Sequence, residues 1–177
     1  MKKTFILFLA VVMAVSFLGG CAPKEVETNV VDLNEIHDAV KEAYGEDYFP
    51  NRELTPEEIE NLTGIKEDDM EDFIAESPMI SVQADTFIAI KAKEGKGDII
   101  EKSLEKYRTS LVEDSLQYPM NIAKVNGSKI VRHGDYVFFL MLGKIDERTE
   151  ATDEERLEFA KAEVKRGEDV INEFFNK

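Results

Sequence analysis

The stretch Tyr136-Val137-Phe138-Phe139-Leu140-Met141-Leu142 has no polar group apart from the tyrosine hydroxyl. Its aromatic and branched side chains favour extended backbone, and seven residues is a strand's length. Alternate side chains of a strand point to opposite faces, which puts Phe138, Leu140 and Leu142 on one side and Val137, Phe139 and Met141 on the other. Neither side can face water. The stretch is therefore expected to be a central strand covered on both faces, and such a strand requires a layer of helices above and below its sheet.

Working outward, His133-Gly134-Asp135 is a turn signal leading into this strand, and Asn126-Gly127 is a second one upstream. They delimit β-prone segments at 121–125, 128–132 and 136–142. Further upstream, 72–82 and 85–92 also read as strands, with Pro78 at a bend, and are expected to pair as a hairpin. Between the two β regions, Ile100, Leu104, Tyr107 and Leu111 form an apolar stripe, predicting a helix over 98–117 that Pro119 terminates.

Three more helices follow from capping signals. Asp32 and Glu35 precede the stripe Leu33, Ile36, Val40, Tyr44, predicting a helix over 33–44. Thr55-Pro56-Glu57-Glu58 opens a short helix closed by Gly64. Thr152 and Glu155 open the last helix, with Gly167 as its weak point. The expected fold is α+β: an antiparallel sheet of four or five strands, the 98–117 helix on one face and terminal helices around the other. One globular domain spans 32–177.

The N-terminus reads differently. Lys2 and Lys3 precede an apolar run over residues 5–18, too short to span a bilayer comfortably, in the manner of an export signal. The run ends in Leu18-Gly19-Gly20-Cys21, which resembles the lipobox of bacterial lipoproteins: an aliphatic residue, two small residues and the cysteine that is modified. Leu18, Gly19 and Gly20 are the expected peptidase recognition residues, and Cys21, the chain's single cysteine, is the expected lipidation site. On this reading residues 1–20 are a signal peptide and 21–31 an anchor and tether. The mature chain is held on the extracytoplasmic face of the cell membrane through a covalent diacylglyceryl group.

Two acyl chains, at roughly 0.8 kcal/mol per buried methylene, total on the order of 20 kcal/mol, so such an anchor does not exchange. Ten tether residues reach at most ~35 Å, which keeps the domain close to the membrane. With its single cysteine acylated, the domain has no disulfide and must be stabilised by packing.

The chain of 177 residues carries a net charge of −15, and loss of Lys2 and Lys3 with the leader makes the remainder more acidic by two charges. That disfavours nucleic acid and anionic headgroups as partners and favours cationic ones. A hydrophobic fraction of 43% with a mean hydropathy of −0.31 fits a folded domain.

Candidate chemistry is sparse. His37 and His133, the two histidines, read as packing or surface residues with no cysteine to complete a metal set. The acidic runs at 67–72 and 153–155 lack the ligand alternation and glycine bend of a calcium loop and read as solvated helix starts. Ser103-Leu104-Glu105-Lys106 matches a Ser-x-x-Lys spacing, but the companion elements of penicillin-interacting enzymes are missing. Asn126-Gly127-Ser128 has the form of a glycosylation sequon, which the lipobox makes irrelevant. No catalytic residue, metal ligand or cofactor is expected.

The order of elements and three local patterns bear a likeness. Met79-Ile-Ser-Val-Gln-Ala-Asp85-Thr-Phe-Ile-Ala-Ile90, a charged helix ending in Tyr118-Pro119, and Val131-Arg-His-Gly-Asp-Tyr136-Val-Phe-Phe-Leu140 together resemble the bacterial domain of unknown function 4358 family over residues 30–175. The resemblance implies a lipoprotein of the Gram-positive envelope with no assigned activity, and it supplies no site residues. The expected function is that of a binding or structural module of the envelope, partnered by membrane lipid and a neighbouring envelope protein. The alternative is a cell-wall hydrolase using a carboxylate pair, which needs one carboxyl with a raised pKa in a cleft.

Overall fold

The structure, a computed structural model, describes residues 31–80 and 82–176. The expected signal peptide over 1–20, with Leu18, Gly19 and Gly20, the expected lipidation site Cys21 and the expected tether up to residue 30 lie outside the described residues. Residues from Val31 onward form one compact unit. Its elements are α1 (Leu33–Tyr44), β1 (Arg52–Glu53), α2 (Pro56–Thr63), β2 (Met70–Ser77), β3 (Thr86–Ala92), α3 (Gly97–Glu113), α4 (Ile122–Gly127), β4 (Lys129–His133), β5 (Tyr136–Met141) and α5 (Asp153–Phe175). Among the described residues no helix is long and apolar enough to cross a membrane.

The strands form a five-stranded antiparallel sheet in the order β1-β2-β3-β5-β4. β5 is interior, flanked by β3 and β4, and all six of its residues are buried. Val137, Phe139 and Met141 enter one core with Ile59 of α2, Ile100 and Leu104 of α3 and Val125 of α4. Phe138, Leu140 and Leu142 enter the other with Leu33, Ile36 and Val40 of α1 and Val164 and Ile171 of α5. The α+β fold expected from the two-sided strand is thus the fold observed.

The caps act largely as the sequence indicates. Thr55 and Thr152 each form a capping box, with Glu58 and Glu155. Asp32 caps α1 differently, accepting from the Asn34 backbone and side-chain amides rather than closing a box with Glu35. α3 stops at Glu113, short of residue 117; beyond it the Ser115 hydroxyl donates to the Leu111 carbonyl, and Pro119 disfavours helical backbone at Tyr118.

Three expectations need correction. Residues 122–127 are helix α4, not a strand, and Asn126-Gly127 ends that helix instead of making a hairpin. Tertiary contacts override the β-branched pattern here. Arg108 of α3 donates to the carbonyls of Asn126 and Ser128, both at 2.8 Å, and a Cβ on Gly127 would stand 3.0 Å from the Ala160 Cβ of α5. Gly167 is a notch rather than a weak point: its N–H donates to the Tyr44 hydroxyl at 3.2 Å, and that hydroxyl donates to the Glu163 carbonyl at 2.7 Å. Thirdly, β2 ends at Ser77, leaving Met79 and Ile80 exposed in the connection to β3.

Register gives the sheet two distinct ends. Lys91 of β3 pairs with Tyr136, and His133 pairs with Tyr136, so the 133–136 hairpin and the 93–96 loop share one end. Thr86 pairs with Met141, and β4 starts at Lys129 opposite Leu140, so Asp85, α4 and the chain after β5 share the other. Val31 lies at the hairpin end, where the Tyr136 hydroxyl accepts from its N–H at 3.1 Å and donates to its carbonyl at 3.0 Å.

Candidate functional site

At the end of the sheet opposite Val31, a cleft of about 520 Å³ opens between the turn leading into α4, α4 itself, the 144–146 segment and the first turns of α5. Its floor is apolar: Met120, Ile122, Ala123, Ile145, Leu157 and Ala160. Met120 and Ile122 are 52% and 50% exposed, although most large apolar side chains of this domain are buried. Leu116 and Tyr118 before the turn, and Met79 and Ile80 in the β2–β3 connection, are exposed as well. The Asn121 side-chain amide joins the two segments by donating to the Val82 carbonyl at 2.8 Å. An apolar area of this kind, at one end of an otherwise charged domain, is the usual form of an interaction surface.

A buried ion pair supports the cleft from behind. The Lys124 ammonium donates to both carboxylate oxygens of Asp85 at 2.7 Å, with the lysine and aspartate side chains 3% and 2% exposed. The ammonium also lies 5.7 Å from the Phe49 ring centroid. Burial pushes the Asp85 carboxyl above the ordinary aspartate range, even against the opposing charge and hydrogen bonds of Lys124. The pair joins the start of β3 to α4 and so fixes the β2–β3 connection against the cleft wall. Beside it, Asn121 Oδ1 is buried without a hydrogen-bond partner.

The opposite wall is held by arginines. Arg156 donates to the carbonyls of Asp146, Arg148 and Ala151, wrapping the 146–151 loop around its guanidinium. Arg148 forms a two-pronged pair with Asp146, at 2.8 and 2.6 Å for its closest bonds, and these bonds hold the Asp146 carboxyl down at about 2. Lys144 pairs with Asp47 at 3.3 Å. Every cation lining the cleft therefore has an acceptor within the domain. Asp153, which also lines it, has no ion-pair partner among the described residues, and neither do Glu147, Glu150 and Glu154 nearby in the chain.

The histidines are structural. His37 Nε2 lies 3.0 Å from Glu76 Oε2 and 3.2 Å from the Tyr48 hydroxyl, with its ring stacked on Phe87. Burial tends to raise the Glu76 carboxyl, but the bonds from His37 and Tyr48 and the charges of His37 and Lys41 outweigh it and bring it below the usual range. The Tyr48 hydroxyl, buried and bonded to Glu76, is pushed well up. His133 stacks on Phe175 at 4.3 Å and shares a 2.8 Å bond with Asn172. These networks tie α1 to β2 and α5 to the hairpin. Among the described residues no cluster of three or more His, Cys, Asp or Glu side chains is arranged to hold a metal ion.

Of the cleft residues, the sequence reading touches Asp153, as part of a solvated helix start, and Asn126, as part of a turn; it assigns neither to a site. One signal for the cleft exists: Lys124 is the one charged residue between Asp114 and Lys129, set among Ile122, Ala123 and Val125, and a lone charge in such company calls for a buried partner.

The fold and the cleft define a class: a single α+β domain on a five-stranded antiparallel sheet, with a largely apolar cleft at the sheet end opposite Val31. The profile of the family described as domain of unknown function (DUF4358) matches residues 43–142, more than half of the chain, and the protein belongs to that family. The match takes in the whole sheet and the α4 wall of the cleft; the 144–146 segment and α5 lie beyond it. No curated protein and no solved structure matches the chain.

Proposed function

We propose that this protein is a lipid-anchored binding module of the bacterial cell envelope, attached through Cys21 on the extracytoplasmic face and presenting the cleft between α4 and α5 away from the membrane. The observation that carries the proposal is the position of Val31. Val31, the first described residue, is held by Tyr136 at the hairpin end of the sheet, whereas the cleft and the exposed apolar side chains around it are at the other end. A permanent anchor at one end and a short tether hold the opposite end in a thin layer, where the effective concentration of neighbouring proteins is high and weak binding suffices.

The glycan-hydrolase alternative needs a cleft carboxyl that is protonated at neutral pH. Asp146 in the cleft is held low by Arg148, and the carboxyl that is raised, Asp85, is buried against Lys124. The binding reading is the one these groups favour.

Mass spectrometry of the mature N-terminus tests the anchor. The expected product starts at Cys21 with a diacylglyceryl group on sulfur, and Cys21→Ser accumulates unlipidated precursor. A mature chain starting elsewhere, or an unmodified Cys21, overturns the proposal.

A further inference from the structure

We infer that the cleft receives a peptide segment of a partner protein in which apolar side chains sit beside a lysine or arginine. This rests on the binding-module reading and specifies its ligand. The volume of about 520 Å³ is in the range of sites that bury small ligands or a few side chains. A second hollow, about 190 Å³ and lined by Leu111, Val112 and Val125 together with Ser115 and Gln117, shares Ile122 and Asn126 with the first. Ile122 therefore stands between an apolar depression and a mixed one, a shape that suits a segment lying across it with an apolar anchor in the larger hollow.

The charge of the ligand follows from which groups remain unpaired. Lys124 is committed to Asp85 and Arg156 to three backbone carbonyls, while the largely exposed Lys144 lies 3.3 Å from Asp47. Asp153 at the lip has no such partner, and the chain around it is rich in acids. An incoming cation gains an acceptor there, and the net charge of −15 on the chain favours its approach over that of an anion. A second copy of this chain would bring the same acidic lip toward itself and be repelled. A lipid acyl chain would have to reach the end of the domain farthest from Val31. A basic, apolar peptide satisfies both the floor and the lip.

The test is photo-crosslinking of the full membrane-anchored chain in intact cells, with a benzophenone side chain in place of Met120 and, as control, in place of Glu94 at the hairpin end. The expected result is an adduct from the Met120 position to a peptide of another protein. That peptide carries Lys or Arg within about one helical turn of the crosslinked apolar residue. Asp153→Lys should lower the yield about threefold to tenfold, as expected when an attractive rim charge becomes repulsive. Asp153 is exposed, and an unchanged thermal midpoint for the variant separates loss of binding from loss of fold. The inference is overturned by adducts to lipid alone, to a second copy or to a segment lacking a basic residue, by the absence of adducts, or by a yield indifferent to Asp153→Lys. The N-terminal mass from the same cells reports the anchor separately, so failure of the ligand and failure of the anchored reading are told apart.

Discussion

The two ends of one sheet are built on opposite plans. At the hairpin end polar groups tie everything down: Tyr136 to Val31, Arg132 to Asp98 and Glu101, His133 to Asn172 and Phe175. At the cleft end the strands lead into short connections whose apolar side chains, Met79, Ile80, Leu116, Met120 and Ile122, face outward, while a charged pair, Asp85 and Lys124, is buried beneath them. Normal burial preferences are reversed there. A domain keeps such an end because burying an ion pair fixes the geometry of segments that apolar packing alone would leave loose, and the exposed apolar groups then form a defined surface.

The largest effect should come from the sheet between these ends. Phe139 is fully buried in β5 and meets Tyr107 edge-on at 5.3 Å. Phe139→Ala should cost about 3–5 kcal/mol in chemical denaturation. A nearly unchanged midpoint would mean that β5 is not the covered strand described above. Next is the support of the cleft. Lys124→Met removes the charge that compensates buried Asp85 and should cost about 3 kcal/mol, whereas the double variant Asp85→Asn, Lys124→Met should recover a good part of that loss. A single variant as stable as the parent would place the pair in solvent and dissolve the contrast between the ends.

Smaller effects sharpen the contrast. Tyr136→Phe, which removes the hydroxyl that clamps Val31, should cost about 1 kcal/mol. Leu116→Ser at the open end should stay within about 0.5 kcal/mol of the parent. Similar losses from the two changes would show that Leu116 packs like a core residue.

Carboxylate titration followed by NMR separates the two walls of the cleft. Asp146, held at about 2, should keep its charge until strongly acid pH, and its contribution to stability is lost as pH falls through that value. Asp85, raised by burial, has the opposite sign: its ionisation works against the fold, so its contribution is greatest below the ordinary aspartate pKa and declines as pH rises through its raised value. Finding Asp146 in the ordinary range would mean that the Arg148 clamp is open in solution.

The sequence made the sheet legible because its evidence was local and redundant. A two-sided apolar strand requires two layers, and Thr55 with Glu58 and Thr152 with Glu155 mark helix starts that no other structure explains as well. The cleft was illegible for the opposite reason. α4 is helical because Arg108, twenty residues away, captures its last carbonyls and because Gly127 lets Ala160 approach. Asp85 and Lys124 meet across 39 positions, and neither local sequence names the other. Gly167 misled in the same way, since its missing side chain is a liability within its own helix and an asset only once Tyr44 is placed against it.

If membrane attachment and cleft lie at opposite ends of the sheet, as proposed, energy transfer to the membrane distinguishes the two ends. With Cys21 acylated the domain offers no other thiol, so a donor can be attached at Glu94→Cys or at Leu116→Cys in the full lipidated chain, with acceptor-labelled lipid in the bilayer. Glu94 is in the loop at the hairpin end and Leu116 at the cleft end, separated by the length of strands that span ~20 Å. Strong transfer is expected from position 94 and clearly weaker transfer from position 116. Equal transfer, or stronger transfer from position 116, would contradict the proposed arrangement.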